Sequence, residues 1–217
     1  MTDPTLTHLY LLLDRSGSME SIKGDTEGGF DAFIAEQRSQ AGRCLVTLAQ
    51  FDDSYEEVYA DRPVADVPPL RLQPRGTTAL LDSIGRLIGD AGSRLAALAE
   101  EARPGVVIVG IMTDGHENAS RELTHPQVKA VIERQTRDYG WQFLYLGADQ
   151  DAIEVGASIG VSAANSMTYS RGRVADAMAA TSRNIGRTRA AVASGAPIRH
   201  AAALMAFDDE QRSAAQE

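Results

Sequence analysis

Two apolar runs that each end in an aspartate constrain the fold of this chain more than any other feature. The first is His8-Leu9-Tyr10-Leu11-Leu12-Leu13, closed by Asp14. The second runs from Val106 to Met112 and closes on Thr113-Asp114. Each is short enough for a buried strand and too short for a membrane span. Helical spacing follows each strand pattern. Phe30, Phe33, Ile34 and Gln37 mark a helix over 25–40, and Leu80, Leu81, Ile84, Leu87, Ile88, Leu95 and Leu98 mark a longer one. Thr124-His125-Pro126-Gln127 reads as a capping box with proline in the first turn, and Gly140 stands where that helix should end. Cys44–Phe51 and Tyr55–Tyr59 read as a hairpin turned at Asp52-Asp53-Ser54, Trp141–Leu146 as a strand and Ser166–Tyr169 as an edge strand. The expected class is α/β: a doubly wound, mostly parallel, Rossmann-like sheet with helices on both faces and one antiparallel hairpin strand.

In open sheets of this kind, ligands bind beyond the carboxyl ends of the strands. There Asp14, Ser16 and Ser18 alternate along one loop, so their oxygens can face one small volume. One carboxylate and two hydroxyls form a hard, oxygen-only ligand set of low charge, suited to Mg²⁺ or Mn²⁺. Arg75-Gly76-Thr77-Thr78 places threonine hydroxyls at the mouth of the second helix, and Asp114 ends the second apolar run. Taken together, Asp14-x-Ser16-x-Ser18, Thr77 and Asp114 resemble the metal-ion-dependent adhesion site of von Willebrand factor A (VWA) domains, over about residues 6–170. Of the adjacent Thr77 and Thr78, the resemblance gives the ligand role to Thr77, which follows the glycine. It implies a Mg²⁺ ion (or Mn²⁺ or Ca²⁺) held by Asp14, Ser16, Ser18, Thr77 and Asp114, completed by an Asp or Glu from a partner protein. Arg15, Met19, Glu20, Arg75, Thr78, His116 and Glu117 then form the expected rim. Intracellular bacterial and phage VWA proteins are the nearest analogy.

The chain has 217 residues and a formal net charge of −9, which argues against nucleic acid or an anionic membrane as partner. The single cysteine, Cys44, lies in an apolar stretch and reads as a small buried hydrophobe. No signal-peptide pattern opens the sequence, so a cytoplasmic, soluble protein is expected. Residues 1–193 read as one domain. Residues 194–217 read as a tail, partly mobile or with one helical turn near Phe207–Arg212. The arginines at and along the last long helix (Arg171, Arg173, Arg183, Arg187, Arg189) read as a solvated face, with a docking face as the alternative. Oligomeric state has no signature.

Two enzymatic readings compete. Gly156-Ala157-Ser158-Ile159-Gly160 matches the nucleophile elbow of serine hydrolases by spelling, but no strand directly precedes the serine. A phosphatase using Asp14 as nucleophile wants a second acid where Ser16 stands. A metal-free scaffold is the third alternative. The expected function is therefore metal-dependent protein binding without catalysis.

Overall fold

The computed structural model describes residues 2–217. Its strands are β1 (Asp3–Asp14), β2 (Arg43–Phe51), β3 (Tyr55–Pro63), β4 (Pro104–Thr113), β5 (Gln142–Ala148) and β6 (Ser166–Tyr169). They form one sheet in the order β3-β2-β1-β4-β5-β6, parallel throughout except for the β2–β3 hairpin. The helices are α1 (Lys23–Ser39), α2 (Leu80–Ala97), α3 (His125–Tyr139), α4 (Ala152–Ser158), α5 (Val174–Ala193), α6 (Ile198–Ala201) and α7 (Asp209–Ala214).

Period-two alternation in β1 assigns its side chains to two cores. Leu9, Leu11 and Leu13 pack with Phe30 and Phe33 of α1 and with Val174, Met178 and Ile185 of α5. Tyr10 and Leu12 pack on the other face with Leu80, Ile84 and Leu87 of α2 and Val128 and Ile132 of α3. Each large side chain buried in this way contributes about 1.5–3 kcal/mol. β1 is therefore covered on both faces, which explains why its sequence reads as an unbroken apolar run. His8, the first residue of the apolar run, lies inside this central strand at 2% exposure. It stacks on Tyr10 at 4.0 Å, and its Nε2 is 3.0 Å from Thr47 Oγ1. Burial pushes its pKa down to about 3. The exposed Asp61 carboxylate at 3.5 Å does not offset that loss of solvent.

The α3 signals hold in detail. Thr124 and Gln127 form the reciprocal box, and Gly140 closes the helix at φ 70°. β3 runs four residues beyond its expected end, to Pro63, because an irregular register and a left-handed Asp61 (φ 50°) carry the edge strand past Tyr59. Cys44 is buried, and burial raises its thiol to about 11.

The end of the chain carries the expected helical turn, as α7, and packs more of its length than a tail would. Ala201, Met205, Phe207 and Ala215 are buried against the α1/α5 core. Asn184 of α5 donates to the carbonyls of Met205 and Ala206, and Gln211 Nε2 returns a bond to Asn184 Oδ1. Its short helices are too brief to show periodicity; tertiary contacts specify them. Arg189 is not on a solvated face either. At 4% exposure it donates to Gln37 Oε1 and to the carbonyls of Ala41 and Gly42, at the carboxyl end of α1.

Candidate metal centre

Strand order sets the location of the site. From β1 the chain crosses to β2 on one side and later returns to β4 on the other, so the carboxyl ends of β1 and β4 meet at a topological switch point. Asp14 ends β1 and Asp114 follows β4.

Asp14 is fully buried, and both of its oxygens are engaged. Oδ1 accepts from the Ser16 backbone N–H at 2.6 Å and Oδ2 from the Thr113 hydroxyl at 2.5 Å. Burial pushes its pKa up to about 6, against the lowering effect of those bonds, and the Asp114 charge adds to the rise. The Ser18 hydroxyl donates to Asp114 Oδ1 at 2.7 Å and lies 3.2 Å from the Ser16 hydroxyl. Asp114 Oδ2 is buried with no hydrogen-bond partner. Burial also raises the Asp114 pKa, while the Ser18 bond and the Arg171 charge oppose it.

Gly115 shows where the donors converge. A Cβ built on it would stand 2.9 Å from Thr78 Oγ1, 3.6 Å from Asp14 Oδ2 and 3.7 Å from Ser16 Oγ. Glycine is needed because any side chain would fill that volume. The threonine at the site is thus Thr78, 2% exposed, whereas Thr77 is exposed. This corrects the expectation for Thr77. The two residues are adjacent, and the local backbone turns only the second inward.

The expected rim divides. Glu20, Arg75 and His116 are exposed. Met19 is fully buried in the α1 core, and Arg15 is 5% exposed, paired with Asp52 at 2.9 Å and with Glu56. Glu117 is an internal clamp. Its carboxylate accepts from the backbone N–H groups of Leu81, Ala119 and Ser120 and from the Ser120 hydroxyl. Burial opposes its ionisation, yet those donors hold its pKa below the ordinary value. Asn118 Oδ1 accepts from the Thr78 N–H at 2.9 Å.

Two further carboxylates lie beside the site, neither among the expected site residues. Asp52, fully buried after β2, binds Arg15 and Arg75 through Oδ2. Asp149, after β5, holds Arg171 at 3.1 Å. A sequence signal existed for both. Of the five parallel strands, β1, β2, β4 and β5 each end on, or are followed at once by, an aspartate, and only β6 is not.

Among solved structures, the vWF domain of the type V pilus tip protein Mfa5 from Porphyromonas gingivalis matches with a TM-score of 0.57 at 11% identity, over 82% of this chain and 94% of that one. The pilus adhesin SpaC from Lactobacillus rhamnosus GG gives 0.59 at 14% identity, over 83% of this chain and 30% of that one. The fold is that of VWA domains. VWA2, an ArnB paralog from Sulfolobus acidocaldarius, matches with a TM-score of 0.51 at 15% identity over 82% of this chain. This chain spans only 44% of VWA2, and 46% of the mussel byssus matrix protein PTMP1. At such identities the likeness concerns the VWA fold alone. No family model and no curated protein sequence matches the chain.

The donor set of this VWA-fold site suits a hard dication. It offers two carboxylates and three hydroxyls, one buried carboxylate oxygen lacks a donor, and two negative charges sit where burial disfavours them. Among the described residues no group of three His, Cys, Asp or Glu side chains clusters as a metal cage. The hydroxyl-rich set is of a different kind. The Gly156–Gly160 match does not form an elbow. Ser158 ends α4 rather than a strand, is exposed, and donates to the Val155 carbonyl at 2.7 Å. Among the described residues, no helix is long and apolar enough to cross a membrane.

Proposed function

We propose that this protein is a non-catalytic, protein-binding module whose VWA-type site takes Mg²⁺ (or Mn²⁺ or Ca²⁺) and, through it, an Asp or Glu side chain of a partner protein. The observation that carries this reading is the convergence of Asp14 Oδ2, Ser16 Oγ and Thr78 Oγ1 on the space beside Gly115. Ser16, Ser18 and Thr78 would be the neutral ligands. Asp14 and Asp114 would balance the ion's charge, directly or through water. Thr113, by donating to Asp14, orients that carboxylate from behind. A bound dication supplies an electrophilic position that two partly shielded carboxylates leave unquenched. Glu20, Arg75 and His116, exposed at the mouth, would give the partner its specificity. Metal affinity and partner affinity would then be linked, each raising the other.

The test uses wild type, Asp14→Ala, Thr78→Val and Thr77→Val. Calorimetry with Mg²⁺ should show binding for wild type and Thr77→Val, loss for Asp14→Ala, and at least about tenfold weakening for Thr78→Val. A lysate pull-down with wild type and Asp14→Ala, in Mg²⁺ and in EDTA, should retain a partner only with wild type in Mg²⁺. Retention in all four conditions would favour the metal-free scaffold.

A further inference from the structure

The turn between β6 and α5 delivers a cation to the one site oxygen that lacks a donor. Arg171 Nη2 lies 3.6 Å from Asp114 Oδ2, an oxygen on a side chain with no solvent exposure. At that distance the contact is charge attraction and not a hydrogen bond. Asp149 aims the guanidinium. Its Oδ2 is 3.1 Å from Arg171 Nε, and its Oδ1 accepts from the Arg171 backbone N–H at 3.3 Å. Asp149 itself adopts φ 48°, a conformation uncommon outside glycine. Arg171 is 47% exposed, so the arm is tethered without being enclosed.

We propose that Arg171 is an internal counter-cation that competes with the divalent ion for Asp114 and thereby sets the affinity of the site for metal. The proposal rests on the metal-binding reading above. A guanidinium keeps its charge at all working pH values. The same carboxylate oxygen cannot face both cations at full strength. Any ion at Asp114 must either displace the arginine arm or bind beside a positive charge. The arm therefore weakens binding of weakly held ions and leaves the site charge-compensated when metal is scarce. Asp149 keeps the displaced arm within reach, so the competition is intramolecular.

The experiment is calorimetric titration of Mg²⁺ into the full chain as wild type, Arg171→Gln and Arg171→Lys, with circular dichroism and melting curves taken without metal to establish the fold. Arg171→Gln should bind Mg²⁺ about 3- to 10-fold more tightly than wild type, the factor expected for removing one half-exposed like charge. Arg171→Lys keeps the charge and should stay within about twofold of wild type. The sign decides the matter. An arginine that merely braces the turn would, on removal, loosen the site and weaken binding. Equal or weaker binding by folded Arg171→Gln overturns the proposal while the metal site stands. A lysine variant as tight as the glutamine variant also overturns it, since charge would not be the cause. Binding seen only in Arg171→Gln supports it. No Mg²⁺ binding by wild type or by either variant removes both the proposal and the reading beneath it.

Discussion

The loop that carries Thr78 and the turn that carries Arg171 both bring one side chain to the same site, but they are built in opposite ways. The Thr78 loop is clamped from two directions. On one side Asp52 binds the Arg75 side chain at 2.8 Å and, through its carbonyl, the Ala79 N–H at 2.8 Å, while the Arg15 carbonyl accepts from the Arg75 N–H. On the other side Asn118 and Glu117 accept from the Thr78 and Leu81 N–H groups. The Arg171 turn is tied through its backbone and Ser170, but beyond Asp114 its arginine side chain meets a single carboxylate, that of half-exposed Asp149. A neutral hydroxyl ligand must be held in place, because its attraction for an ion is too weak to reorganise a loop. A charged arm needs only to be kept near.

Asp52 is the place to break the clamped side. Asp52→Ala leaves buried Arg15 without its principal partner and should cost about 3–5 kcal/mol, read as a lowered urea midpoint. It should also weaken Mg²⁺ binding, by no more than Thr78→Val does, as the Thr78 loop loses one of its two clamps. A variant of near-wild-type stability would mean that Glu56 alone satisfies Arg15. Glu117→Ala removes four hydrogen bonds from the opposite clamp and should cost about 2 kcal/mol in the same measurement. If it costs nothing, the contrast between clamped loop and open turn fails on that side.

The sheet beneath both regions has an acid sensitivity of its own, at buried His8. His8 stays neutral in the fold, with its pKa lowered to about 3, while in the unfolded chain it takes up a proton below its ordinary value of 6.5. The unfolded state therefore binds more protons as pH falls. The stability that neutral His8 allows is complete above pH 6.5 and declines steadily toward pH 3. Between pH 7 and pH 5 the loss should approach 2 kcal/mol. The same acid shift applied to His8→Gln should move the urea midpoint less, and an unchanged shift would place the acid sensitivity elsewhere.

Much of this molecule is legible residue by residue. Asp14 and Asp114 are readable because continuous apolar runs end on them, and a strand buried on both faces leaves no ambiguity about where its carboxyl end lies. The limits of α3 are readable because caps act within four residues. Thr77 and Thr78 could not be told apart by spacing, since one residue's backbone angles decide which side chain points inward. Arg15, Met19 and Glu117 looked like rim residues because they neighbour motif positions in the chain. The turn after Asp14 buries the first two, and the loop after Asp114 folds Glu117 back onto α2.

The sequence by itself determined the α/β class, the parallel strands and the two aspartates at their ends, because hydrophobic period and strand termini are local properties. Only the tertiary structure decided that Thr78 faces the site, that Asp52 and Glu117 clamp its loop, that the last 20 or so residues pack onto α5, and that Arg171 reaches Asp114 across 57 positions of chain. Those pairings are set by the order in which strands lie side by side. No window of sequence contains both partners.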